Sequence, residues 1–274
     1  MELSDLGLDD YEVMEDAGLI VGRKGHIAVV LLDRPDRGNA FHTPMKQALG
    51  PLWLRLDDDP DVRAIVFGAT SERFFCTGRD ITEVNEKGSV GVDRSMYRSF
   101  NLTTRHSHVW KPVVCAVEGL VVGGGLHFIV DADIVVAGEG AMIRDSHVNL
   151  GYVGAIENIG LALKAGIGNA LYLTLVGREA KMPAERAYQL GLYQELVPDG
   201  QALSRSLELA ELIAKNSPSA VSRSLEAVWS LPYVAGYEQS LSFGHQLLRR
   251  QWQHPDSKEG ARAWGEKRDP MWST

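Results

Sequence analysis

The stretch Ala116-Val117-Glu118-Gly119-Leu120-Val121-Val122-Gly123-Gly124-Gly125-Leu126-His127 decides how the rest of the chain is read. A Val-rich run ends in three consecutive glycines and passes straight into apolar residues. That pattern suggests a strand turning into a helix, with backbone N–H groups left exposed at the turn. Such a turn can bind phosphate or stabilise a developing oxyanion. It is not a dinucleotide fingerprint, because the G-x-G-x-x-G spacing is absent. It is not a Walker A loop, because no Gly-Lys-Ser/Thr follows.

Two flanking segments carry further chemistry. Upstream, Phe74-Phe75-Cys76-Thr77-Gly78-Arg79-Asp80-Ile81 follows a strand-like run, and its glycine lets N–H groups turn inward. Taken alone it also reads as an ordinary strand-to-helix turn. Downstream, Ala141-Met142-Ile143-Arg144-Asp145-Ser146-His147-Val148-Asn149-Leu150-Gly151 places an ionisable cluster beside a glycine. Asp145 and His147 are two residues apart, so in extended backbone their side chains share a face. Asp145 then either orients His147 or pairs with Arg144.

Short Val/Ile-rich runs at Leu19–Val21, Ile27–Leu32, Ala64–Phe67, Val113–Val117 and Ile134–Val136 predict strands buried on both faces. Thr43–Asp58 is amphipathic but interrupted by Gly50-Pro51, which predicts a kinked or split helix. A polar stretch, Thr82–Arg105, and a helix-like lead into Lys111-Pro112 come next. After Gly151 the periodicity is helical, over Ile159–Val176, Pro183–Gly191, Gln201–Asn216, Pro218–Ser230 and Val234–Gln251. Ser217 reads as an N-cap with Pro218 at the first helical position. The order is that of an α/β protein. It divides into an acidic lead-in (1–20), an α/β core (21–200) and a helical C-terminal region (201–274).

The net charge of −8 excludes the basic footprint of a generic nucleic-acid binder, yet local arginines or helix N-termini can still hold an anion. Cys76 and Cys115 lie in apolar surroundings without metal-ligand spacing, as buried reduced thiols do. The opening residues lack a basic region followed by an apolar run, and no apolar run approaches the ~18 residues of a membrane span. The expectation is a soluble cytoplasmic protein without membrane or nucleic-acid partners.

In order and spacing these segments resemble the crotonase, or enoyl-CoA hydratase/isomerase, superfamily. Its pattern runs Phe-Cys-Ala-Gly-x-Asp-Leu, then Pro-Val-x-Ala-x-x-x-Gly-x-x-x-Gly-Gly-Gly, then Asp-x-x-x-Ala, then Pro-Glu-x-x-x-Gly. Arg34-Pro35 with Asn39-Ala40, Lys111-Pro112-Val113, Asp133-Ile134-Val135-Val136-Ala137, Lys258-Glu259-Gly260 and Glu266-Lys267-Arg268-Asp269-Pro270-Met271-Trp272 also fit. The resemblance implies a ClpP-like spiral of ββα units whose C-terminal helices mediate a homotrimer or a dimer of trimers. It implies no permanently bound cofactor, and coenzyme A as part of a small-molecule substrate. By position, the backbone N–H groups of Arg79 and Gly124 form an oxyanion hole for a thioester enolate. Arg34, Arg37, Ala40, Thr77, Gly78, Asp80 and Ile81, with Trp264 and Lys267 offered by a neighbouring subunit, fall where the family meets the nucleotide.

The chain departs from the family at the acid/base positions. Where hydratases of this kind carry two glutamates, it carries His127 and His147. Glu157, ten residues after His147, falls where the family begins a helix under its active site, and is read either as a third acid/base candidate or as a helix-dipole partner. His42 matches no catalytic position, and His106 and His108 are expected at the surface. Three functions follow. The first is an acyl-CoA enzyme working through an oxyanion-stabilised enolate, and not an efficient two-glutamate hydratase. The second is a CoA-independent retro-Claisen β-diketone C–C hydrolase, like 6-oxocamphor hydrolase. The third is a non-catalytic relative binding CoA or a protein.

Overall fold

The computed structural model describes residues 6–83 and 101–233, and beyond them residues 246, 249–250, 253–256, 259, 262–263 and 266–273. The strands run β1 (Asp10–Met14), β2 (Leu19–Lys24), β3 (Ile27–Leu32), β4 (Ala64–Ala69), β5 (Phe74–Cys76) and β6 (Val113–Val117). They continue as β7 (Leu120–Val122), β8 (Ile134–Gly138), β9 (Met142–Arg144), β10 (Met182–Pro183) and β11 (Glu195–Val197). A large sheet has the order β1-β2-β3-β4-β6-β8-β11, and a small one the order β10-β9-β7-β5. In the large sheet β1, β2 and β3 pair antiparallel, and β3 through β11 pair parallel. In the small sheet β5, β7 and β9 are parallel.

Each spiral turn carries the chain from the large sheet to the small one and then toward helix. β4 leads to β5, β6 to β7 and helix α2 (Leu126–Val130), and β8 to β9 and helix α3 (Ile156–Ala165). This is the crotonase-type arrangement, and the apolar runs explain it. Along β3, Ala28, Val30 and Leu32 enter one core while Ile27, Val29 and Leu31 enter the other. A strand apolar at every position is stable only when both faces are covered. The second face is covered by Ala202, Leu203, Leu207 and Ala210 of the helix Ala202–Ala214.

The structure corrects four sequence expectations. Residues 10–14, inside the lead-in, form an edge strand; its side chains are largely exposed, so hydrophobic pattern could not reveal it. Helix α1 (Thr43–Asp58) runs unbroken through Pro51. Its buried face of Met45, Leu49, Leu52, Trp53 and Leu56 contributes about 1.5–3 kcal/mol per side chain, more than the ~3 kcal/mol a single interior proline costs. The predicted helix 159–176 is two helices, α3 and α4 (Ile167–Val176), separated by Gly166. The segment 103–108 forms successive turns instead of a helix. Most of the predicted helix 234–251, together with Trp264, lies outside the described residues.

Candidate active site

β5, β7 and β9 are neighbours in the small sheet and parallel, so the residues that follow their C-terminal ends come side by side. That end of a parallel sheet is where ligands gather. Here it assembles the turn 77–80, the triple glycine 123–125 and the segment 145–147.

The first two turns touch. Gly78 has φ +87°, and a Cβ there would lie 2.9 Å from the Gly124 nitrogen and 2.9 Å from the Val122 oxygen. Only glycine allows both that dihedral and that approach. The Arg79 N–H has no acceptor among the described residues. Gly124 belongs to the first turn of a short 3-10 helix, whose N–H groups find no partner within the helix.

The third segment brings the ionisable groups. His147 Nδ1 lies 2.6 Å from Asp145 Oδ1, and the His147 backbone N–H donates to the same oxygen at 3.0 Å. Asp145 therefore orients His147, the first of the two readings left open by sequence. On the other side of the ring, Nε2 lies 3.0 Å from Glu157 Oε1. The ring rests against the glycine turn: a Cβ on Gly123 would be 3.4 Å from His147 Cε1. Glu157, in the first turn of α3, also lies 3.4 Å from His127 Nε2. Asp145 is fully buried, and Asn158 Nδ2 donates to its second oxygen at 2.7 Å. Asn158 in turn bonds Thr174 of α4 at 2.6 Å.

Charge states follow from these contacts. Burial opposes protonation of His147, but hydrogen bonds to Asp145 and Glu157 overcome it and lift its pKa to about 9. Burial likewise works against the Glu157 carboxylate, and His147 and His127 hold its pKa below the usual value. His127 is pushed down to about 4, chiefly by burial. At neutral pH the centre is an imidazolium (His147) paired with a carboxylate (Glu157), with a neutral imidazole (His127) alongside. Such a set can take one proton and give another next to backbone donors.

The nucleotide-side candidates are placed as follows. The loop 34–41 and the turn 77–80 are zipped together by Thr77 N to Gly38 O (3.0 Å), Phe41 N to Gly78 O (2.8 Å) and Asp80 N to Phe41 O (3.0 Å). Arg34 is committed inside this bridge. Its Nη1 donates to Ala40 O at 2.5 Å, and its Nη2 pairs with Asp80 Oδ2 at 3.0 Å. Arg37, Ile81 and Lys267 are exposed. Arg79 Nε is buried without a partner among the described residues, and Lys46 beside it has its pKa lowered by burial and by the Arg79 charge. Two neighbouring cations suit an anionic group such as a phosphate.

His42 bonds the Asp16 carbonyl at 2.9 Å, away from the centre. His108 is exposed as expected, but His106 is not: its ring packs edge-on against His127, centroids 5.3 Å apart. Asn158 was also missed. The signal for it was present, since Glu157-Asn158 is a polar pair in the first turn of the helix Ile156–Ala165, which is apolar from there to Lys164.

A spiral of ββα units with ionisable side chains beside exposed backbone donors is the architecture of a class of enzymes that stabilise oxyanions. Residues 22–274 match the enoyl-CoA hydratase/isomerase family, and the chain belongs to it. It is 32% identical over 264 residues to enoyl-CoA hydratase EchA19 of Mycobacterium tuberculosis, covering 92% of this chain and 94% of that one. It is 29% identical over 260 residues to carnitinyl-CoA dehydratase of Proteus mirabilis, covering 91% and 95%. A crystal structure of an enoyl-CoA hydratase/isomerase from Mycobacterium paratuberculosis superposes with a TM-score of 0.85 at 29% identity, over 96% of this chain and 99% of that one.

Proposed function

We propose that this enzyme acts on an acyl-CoA thioester through an enolate held by the N–H groups of Arg79 and Gly124, with Glu157 and His147 as its proton-transferring pair. The observation that carries the reading is the 3.0 Å contact of His147 Nε2 with Glu157, with the ring lying against the glycine turn. In this scheme Glu157 takes a proton from water or from the substrate α-carbon. The thioester oxygen becomes an enolate beneath the two N–H groups. His147, an imidazolium, returns a proton to carbon. Each backbone donor contributes about 3–4 kcal/mol to such a barrier reduction. His127 and Asp145 act by holding Glu157 and His147 in place.

The acyl-CoA assignment is supported by family membership and by Arg79 Nε, which is buried beside Lys46 with no partner among the described residues. Arg34 takes no part in it, because its terminal nitrogens are already bonded. That last observation favours a second reading, CoA-independent cleavage of a β-diketone, in which the same pair activates water for attack on a ketone. Thermal-shift titration with CoA, acetyl-CoA and a cyclic β-diketone separates the two. A ligand of the folded state stabilises by about 2.7 kcal/mol at a hundredfold excess over its Kd. A saturable rise with CoA esters supports the first reading; a rise with the diketone alone replaces it with the second.

The proposal includes assembly as a homotrimer or a dimer of trimers. In support, α3 and α4 expose Ile159, Leu163, Ile167 and Leu175 together, each more than 60% accessible. An apolar surface of that kind is a common mark of a protein–protein interface.

A further inference from the structure

Behind the acid/base pair lie His106 and Asp131, two titratable side chains that the reaction scheme leaves unused. His127 faces Glu157 on one side, Nε2 to Oε2 3.4 Å. On its other side the His106 ring packs edge-on at a centroid distance of 5.3 Å and an interplanar angle of 73°. His106 Nε2 lies 3.3 Å from Asp131 Oδ2, which also accepts from Thr103 Oγ1 at 2.7 Å. The Asp131 N–H donates to the His127 carbonyl, closing the cluster around the end of α2. Glu157 and His127 have side-chain accessibilities of 7% and 4%, and the outer pair His106 and Asp131 have 16% and 14%. The line therefore runs from the buried carboxylate toward solvent.

We infer that His106 and Asp131 are the outer half of a proton relay connecting Glu157 with solvent through His127. The inference rests on the reading of Glu157 as the group that takes up a proton. An imidazole can accept a proton on one ring nitrogen while releasing one from the other, so it passes a proton without storing charge. A protonated Glu157 gives its proton to one His127 nitrogen. The other His127 nitrogen, Nδ1, gives one to His106 through one bridging water, and His106 releases one beside Asp131. Glu157 is restored as a carboxylate, and one proton has left the site. His127 suits passing better than holding a proton, since burial keeps its pKa at about 4. The groups acting on His106 are Asp131, Glu157, His108 and the His127 ring. Asp131 and His106 are thus positioning and conducting residues that act through His127, without contact to the reacting atoms.

The test needs no substrate, so its outcome is separable from that of the proposed reaction. In the full-length protein with 15N-labelled histidines, NMR measures solvent exchange of the His127 ring N–H. His106→Gln should slow that exchange at least about tenfold, and Asp131→Asn should slow it less, with secondary structure by circular dichroism unchanged. In the wild type the rate should show an inflection at the pH where His106 itself titrates, read from its own ring signals. Equal rates in wild type and His106→Gln would overturn the relay. So would a wild-type rate without that inflection, even where a variant does not fold. Relay behaviour without acyl-CoA turnover would sink the proposed reaction and leave this inference standing.

Discussion

The Nε2 of His147 lies 3.0 Å from Glu157 Oε1, although the two residues belong to different elements and ten positions separate them in the chain. In the proposed scheme this contact makes His147 the acid. With Asp145 on its other nitrogen, His147 is held between two carboxylates and stays protonated up to about pH 9. The same contact favours the ionised form of Glu157, which suits it to the role of base proposed for it.

Removing either partner should stop turnover while sparing binding. His147→Gln and Glu157→Gln are each expected to lower kcat by about 10²–10⁴-fold, the usual contribution of a positioned acid or base. KM for the acyl-CoA should change only a few-fold. Steady-state kinetics on an acyl-CoA panel checks this, and a large rise in KM with kcat intact would assign the pair to binding.

Asp145→Asn should act on pH dependence. Without that carboxylate the pKa of His147 falls from about 9 toward the ordinary histidine value. The alkaline limb of the rate profile, which reports loss of the His147 proton, should move to lower pH by the same amount. A limb that stays put would mean that another group titrates there.

Stability should peak near neutrality, and the signs can be worked out for each histidine. His147 is raised from 6.5 to about 9, so its stabilisation is complete below pH 6.5 and is lost as pH rises through 9. A shift of this size corresponds to about 3 kcal/mol. His127 is lowered from 6.5 to about 4, so stability falls as pH drops from 6.5 through 4. Urea unfolding at several pH values should show both limbs, and His147→Gln should flatten the alkaline one.

Gly78→Ala tests the oxyanion turn. Its φ of +87° disfavours any Cβ, and the added methyl would press on the Gly124 nitrogen at 2.9 Å. Separating the two turns should cost about 10²–10³-fold in kcat, the range for losing one oxyanion donor. Arg34→Ala should instead lower stability by about 3 kcal/mol, because it strips Asp80 of its partner in a mostly buried pair. Its KM for CoA esters should stay near wild type.

Much of this was legible in sequence, and the reasons differ between residues. The runs at 27–32 and 113–117 are short, rich in Val and Ile and bounded by turn residues, so strands covered on both faces could be read from them. The triple glycine marked the donor turn because no other residue type leaves N–H groups so accessible. Edge strand β1 was illegible because its side chains are largely exposed and mark no buried face. Glu157 was ambiguous because a first-turn carboxylate has an ordinary helix-dipole role; only its distance to His147 separates the two uses. His106 was read as a surface residue because the chain's return past His127 depends on tertiary packing.

The central claim is that Glu157 removes a proton to form a thioester enolate, and exchange of α-protons tests it most directly. Butyryl-CoA incubated with the enzyme in D2O and followed by NMR should exchange its α-protons, and Glu157→Gln should abolish that exchange. No exchange with the wild type, accompanied by cleavage of a cyclic β-diketone under the same conditions, would contradict the account.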